Sequence, residues 1–150
     1  MERKAVTATI KFEETEIRLV AMWINEKPSS WDSMSHKQHH RIKVIANGGK
    51  SVSFDYWASQ AHPRIETEKE VIEAFNCFVS DAMSGTSDFK DFCSELGYDE
   101  YIENDYGRSV QNKDAKRIHS ACVKAKKDFD RVVGVDIYDL SNWMSEEFEL

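Results

Sequence analysis

The hydrophobic period of this chain changes once, near Pro63, and that change limits the possible fold more than any other feature. Upstream, Val6, Ala8, Ile10 and Phe12 alternate with Thr7, Thr9 and Lys11, the two-residue period of a strand with one buried face. Ile17 to Asn25 predicts a second strand, with Leu19, Ala21 and Trp23 on one side and Val20, Met22 and Ile24 on the other. Apolar residues on both faces place that strand in the middle of a sheet. The polar Glu13-Glu14-Thr15-Glu16 turns the chain between the two. Residues 26–40 hold Pro28, four serines and no period, which predicts a long loop. Arg41 to Ala46 and Ser51 to Trp57 predict a third and fourth strand. Asn47-Gly48-Gly49 between them supplies the positive φ angles that a tight hairpin requires.

Past Pro63 the spacing becomes helical. Thr67 and Glu70 have capping-box spacing, in which hydroxyl and carboxylate satisfy free backbone N–H groups. Val71, Phe75, Phe78, Val79 and Ala82 then share one face, and Ser84-Gly85 ends the helix. Ser87 is placed to cap a second, short helix carrying Phe89, Phe92, Cys93 and Leu96, stopped at Gly97. After an acidic connection, Ile118, Cys122, Ala125, Phe129 and Val132 follow 4-3-4-3 spacing on a long helix closed by Gly134. Ile137, Leu140, Trp143 and Met144 suit a last short helix. The expected fold is α+β: one domain over residues 1–150, a four-stranded antiparallel sheet packed against three to four C-terminal helices. Phe75, Phe78, Phe92, Ile118, Cys122 and Phe129 are expected to meet in one core beneath the sheet.

A chain of 150 residues with 41% hydrophobic and 31% charged residues is too apolar for disorder. It needs neither disulfide nor metal to fold. Cys77, Cys93 and Cys122 lie far apart in helical segments among apolar neighbours, which argues against a disulfide framework and for a reducing, cytoplasmic setting. No apolar run approaches the roughly 18 residues of a membrane span, and Met1 to Thr7 lacks the apolar stretch of a secretory signal.

The formal charge of −7 is unevenly spread. Residues 66–105 hold 2 basic and 12 acidic residues, residues 106–131 hold 8 basic and 3 acidic, and residues 132–150 hold 5 acidic and none basic. Such blocks bear on partners and solubility, not on fold.

Few constellations suit catalysis or a cofactor. His36, His39 and His40 would converge on a divalent ion if their segment were helical; a solvated loop leading into a strand is the competing reading, and no metal or other cofactor is expected. His62 before Pro63 is expected to be a turn residue. Cys122 with His119 three residues earlier is the least remote nucleophile, yet its position on the apolar stripe makes it a core residue first. No Gly-x-Ser-x-Gly, Walker or dinucleotide fingerprint is present.

Several stretches from Phe54 onward form a set: Phe54-Asp55-Tyr56 with Pro63 following, Val71 through Ala82, Phe89 with Phe92-Cys93 and Glu95 to Asp99, and Ala115 with Ile118-His119 and Ala121-Cys122. In these, covering about half of the chain at the level of motifs, the sequence resembles a loose group of small bacteriophage-encoded accessory proteins. In that group an Asp-Ser-Arg closely follows the Gly-Tyr-Asp; here Glu100 to Lys113 stands in its place. Most of the group has no assigned function, so the resemblance carries over no catalytic residues. It implies a small protein made by a phage or prophage inside a bacterium.

These readings set the functional expectation: an acidic protein-binding module that inhibits a bacterial host system, for example as an anti-CRISPR or other anti-defence protein, by imitating phosphate charge. The expected partner is a host protein or nucleoprotein complex, with a homodimer as a further expectation and no membrane contact. The expected working face is Asp99, Glu100, Tyr101, Glu103 and Asp105 beside Asp136, Asp139, Trp143, Glu146 and Glu147, with Tyr106 as another aromatic contact. The alternative is a nucleic-acid-binding accessory factor using the basic helix 108–131, which an overall pI near 5.2 disfavours.

Overall fold

The computed structural model describes residues 5–26, 37–47, 49–57 and 64–150. Strands β1 (Val6–Phe12), β2 (Thr15–Glu26), β3 (Lys37–Ala46) and β4 (Lys50–Trp57) form an antiparallel sheet in the order β1-β2-β3-β4. β2 is central, as its two apolar faces imply. β3 starts at Lys37, four residues before the alternation begins. Residues 37–40 are polar and carry no apolar period, yet their backbone continues the ladder opposite Glu26 to Trp23. Residues 27–36 of the expected loop, His36 among them, lie outside the described residues, as do Gly48 and His62. At the β3–β4 turn, Asn47 supplies a positive φ of 49°.

The rest of the chain is α1 (Glu68–Ser84), α2 (Phe89–Leu96), a two-stranded hairpin β5 (Tyr101–Glu103) and β6 (Ser109–Gln111), α3 (Lys113–Val132) and α4 (Ile137–Phe148). The hairpin departs from the sequence expectation, in which its segment reads as an acidic connection. α1 opens on the Thr67/Glu70 capping box. α2 is capped by Asp88, whose carboxylate accepts from the Asp91 N–H at 2.8 Å, and not by Ser87. The Ser87 hydroxyl instead donates to the Glu95 carboxylate. Gly97 and Gly134, at φ 76° and 72°, end α2 and α3 as the sequence predicts.

The side chains sort into two cores. The inner sheet face, including Ile10, Ile17, Leu19, Ile42 and Val44, is buried against Val71, Phe75, Phe78 and Val79 of α1, Phe129 and Val132 of α3, and Ile137, Leu140 and Met144 of α4. Phe78 stacks on Phe54 of β4 at 4.8 Å and lies 6.2 Å from Phe75. Phe92 and Cys122 do not join them. They form a smaller cluster with Phe89, Cys93 and Ala115, against which Ile118 packs. α3 is long enough for its first half to face α2 and its second half the sheet. On the opposite side of the sheet Lys11, Arg18, Met22, Arg41 and Lys43 remain exposed.

Gly85 is the C-cap of α1, as its position predicts, and has a second role besides. Its φ of −76° is open to any residue. A Cβ there, however, would lie 2.1 Å from the Cys122 carbonyl oxygen of α3. The glycine is needed because two backbones meet.

His40, 3% exposed, ties the sheet to the start of α1 by accepting the Ile65 N–H on its Nε2 at 2.9 Å. Its ring lies edge-on to Trp23 at 4.8 Å, and the Arg64 guanidinium covers the same indole. Acceptance at Nε2 requires neutral imidazole. Burial, and then the neighbouring His39, hold its pKa below the ordinary 6.5, against a smaller upward pull from Glu70.

Two outcomes follow for stability. Phe78→Ala should cost on the order of 3–5 kcal/mol, as truncation of a buried Phe does, read from urea unfolding; unchanged stability would contradict the packing. The unfolded chain takes up a proton at His40 before the folded one does, so stability should be full above about pH 6.5 and fall as pH drops through the lower folded pKa. Denaturation midpoints at about pH 7.5 and about pH 5.5, above the main carboxylate range, should differ for the native chain and differ less for His40→Gln.

Candidate functional site

The acidic segment after α2 is held in a defined shape by two asparagines. Asn104 turns the hairpin: its Oδ1 accepts from the N–H groups of Tyr106 and Arg108 at 2.9 and 3.0 Å, and Gly107 takes a φ of 73°. Asn112 fixes the base. Its Oδ1 caps α3 by accepting from the Ala115 N–H at 3.1 Å, while its Nδ2 donates to the Asp99 carbonyl at 2.9 Å. Its own N–H donates to the Glu100 carbonyl. Between these points Tyr101, Ile102 and Glu103 pair with Gln111, Val110 and Ser109. Tyr98 stacks on Phe92, so the segment is anchored to the small core.

What this scaffold presents is both acidic and apolar. Seven large hydrophobic side chains are exposed among the described residues, and five of them, Leu96, Tyr98, Tyr101, Ile102 and Tyr106, fall in this one stretch. Tyr101 is 58% and Tyr106 88% exposed. Asp99, Glu103 and Asp105 are exposed beside them and Glu100 is half-buried. The acidic field reaches the body of the protein. Burial raises the pKa of the Cys93 thiol, and Glu100 and Asp99 push it further in the same direction, against Lys116.

The residues expected on α4 are arranged differently. Asp139, Glu146 and Glu147 are exposed. Asp136 is the N-cap of α4, accepting from the Tyr138 and Asp139 N–H groups at 3.0 Å. Trp143 is half-buried and packs against Phe12 at 5.3 Å and Phe148 at 5.6 Å, so its ring serves the main core. The hairpin is bonded to the N-terminus of α3, while α4 packs on the main core, and no hydrogen bond or ion pair joins the two groups among the described residues. The sequence could reveal the density of carboxylates in both, but not that the first lies among several exposed apolar side chains while the second has only Tyr138 beside it, whose hydroxyl is 3.1 Å from that of Thr86.

Other candidates resolve into structural roles. His39 and His40 are adjacent in a strand and face opposite sides of the sheet, so the helical convergence considered for them does not form. His39 Nε2 lies 3.2 Å from the Asp55 carboxylate, which Arg41 also engages. No cluster of three or more metal-ligating side chains occurs among the described residues. His119 is buried between Phe89 and Phe92, with Nε2 at 2.8 Å from the Ser87 carbonyl, the geometry of a donor. Cys122 is buried and its thiol is pushed up to about 11 by burial and then by Asp81. A thiol so far above neutral pH is a poor nucleophile. The basic helix spends much of its charge internally: Lys124 pairs with Asp128, Lys126 with Asp130, Arg131 with Asp128, and Lys116 covers the Phe89 ring. No helix among the described residues is long and apolar enough to cross a membrane.

Comparisons with protein-family models, curated proteins and solved structures found no match to this chain. The site is therefore defined by its own geometry: a short hairpin, clamped at its base, that offers tyrosines among carboxylates. Asn112→Ala removes the cap and the clamp together. A lost N-cap alone costs about 1 kcal/mol, so urea unfolding should show at least that loss, with the β5 and β6 amide shifts moving toward random-coil values.

Proposed function

We propose that the protein is a binding module that sets its acidic, tyrosine-bearing hairpin against a cationic surface of a bacterial host protein or nucleoprotein complex, inhibiting a defence system such as CRISPR. The observation that carries this reading is the coincidence of exposed rings and charge between Leu96 and Tyr106. Tyrosine supplies contact area at low entropic cost and is enriched where interfaces concentrate their energy. Carboxylates around it steer the module toward Lys- and Arg-lined surfaces built for phosphate, and such steering accelerates encounter. A bacterial host and a phage origin rest on the resemblance at Phe54-Asp55-Tyr56, Val71 to Ala82 and Phe89 to Asp99. Direct nucleic-acid binding through α3 is the weaker reading, because several of its cations are already paired within the molecule.

The test uses the partner recovered from bacterial lysate on the immobilised protein. Asp99, Glu100, Glu103 and Asp105 are replaced together by Lys, a change the fold should tolerate because three of the four are exposed, Glu100 keeps contact with solvent, and such charges add little stability. The association rate with the purified partner should fall by about tenfold or more at low salt, and the difference should shrink as salt rises. Equal association rates at every salt concentration would reduce the acidic hairpin to a solvated surface.

A further inference from the structure

A groove of about 760 Å³ runs between β4 on one side and α1 and α3 on the other. Ser53, Phe54, Asp55 and Tyr56 all line it. Consecutive strand residues point their side chains to opposite faces, so four in a row share one groove only if it opens along the backbone edge. β4 is the last strand of its sheet and pairs with β3 alone among the described residues. The Ser51 carbonyl turns away from β3 and accepts from Arg131 Nη2 at 3.4 Å. Peptide groups two residues apart point the same way in an antiparallel strand. The N–H and C=O groups of Ser53 and Asp55 are therefore directed at the groove.

The helical walls explain why the space is not filled. α1 contributes Asn76, Cys77 and Ser80, and α3 contributes Ala121 and Ala125, all short side chains, while the longer Lys124 of α3 is largely exposed and bound to Asp128. Phe54 and Phe78 give the groove an apolar floor. One charge in it lacks a counter-ion. Asp128 pairs with Lys124 and Arg131, and Asp55 with Arg41 and His39, but no cation pairs with Asp81 among the described residues. The Asp81 residue keeps contact with solvent, yet the walls remove part of the hydration of its carboxyl and raise its pKa. The Cys77 thiol beside it is raised by burial and then by Asp81 and Glu73, as an electronegative cleft requires.

We infer that this groove is a second binding site, one for an extended peptide segment carrying Lys or Arg, which adds to the sheet as a fifth strand along β4 and places a cationic side chain on Asp81. Strand addition of this kind draws affinity from backbone hydrogen bonds and specificity from alternate side chains. The site is independent of the hairpin, and each can fail without the other.

The probe is a capped heptapeptide in which lysine alternates with threonine and valine, titrated to about 1 mM into the isotope-labelled full chain. Amide shifts are expected at Ser53, Asp55, Asp81 and Ala125, and not at Tyr101 or Glu103. Ser53→Pro, which removes a donor on the free edge where proline is tolerated, should weaken binding by about tenfold or more while the β1 and β2 resonances stay dispersed. Should that variant unfold, Ala121→Trp fills the groove from an exposed position on α3 and should abolish the same shifts. Asp81→Asn should weaken the lysine peptide, and a glutamate counterpart should not bind the native chain. The inference is overturned if no groove amide moves, if binding survives Ser53→Pro or Ala121→Trp, or if the glutamate peptide binds equally well. It is also overturned if light scattering shows a dimer that Ser53→Pro dissolves, since a second copy would then hold the edge.

Discussion

Helix α1 is the element on which the other layers depend, because it is in contact on two sides at once. Its Val71, Phe75, Phe78 and Val79 seal the inner face of the sheet, with the Phe78 ring stacked flat on Phe54. At its end, Gly85 lets the backbone of α3 come against it at Cys122. The first contact removes the sheet's apolar face from water, the dominant favourable term in a fold of this size. The second sets the distance of α3 from the sheet, and with it the orientation of everything α3 carries. The hairpin at one end and the groove along β4 both take their shape from where α3 lies.

Much of this architecture is legible in the sequence, and the reason is periodicity. β1, β2 and β4 follow a two-residue pattern strong enough to fix their faces, and α1, α3 and α4 follow a helical one. The failures occur where side-chain pattern has no hold. Lys37 to His40 extend β3 by backbone pairing and by the polar contacts of His39 and His40, neither of which an apolar period announces. β5 and β6 are three residues each, too short for a period, and exist because Asn104 and Asn112 hold their ends. The stripe Ile118, Cys122, Phe129, Val132 looks continuous in sequence, yet two different cores divide it. Gly85 and Gly97 look alike in sequence as helix stops. Only Gly97 uses the left-handed conformation, whereas Gly85 answers to a neighbour 37 positions away.

The charge blocks are legible as composition and become informative only with exposure. Twelve acidic residues between 66 and 105 could equally have been a solvated surface. The structure divides them among different tasks: Glu70 completes a capping box, Asp88 caps α2, Asp81 stands in the groove, and Asp99 to Asp105 surround open tyrosine rings. The basic run is divided likewise, with Lys124, Lys126 and Arg131 held by aspartates of their own helix. The resulting molecule has an outer sheet face on which Lys11, Arg18, Arg41 and Lys43 outnumber Glu16 and Asp55, and an acidic hairpin, a polarity that the net charge conceals.

The separation into two cores also bears on how the protein opens. The cluster of Phe89, Phe92, Cys93, Ala115 and Cys122 is small, and α2 and the hairpin depend on it rather than on the sheet. Regions with few buried apolar neighbours unfold locally at lower free energy than the whole chain. Amide protons of α2, β5 and β6 should therefore exchange with solvent through partial openings that leave β2 and β3 protected. The hairpin is thus attached to the part of the molecule that can rearrange on contact while the sheet stays folded.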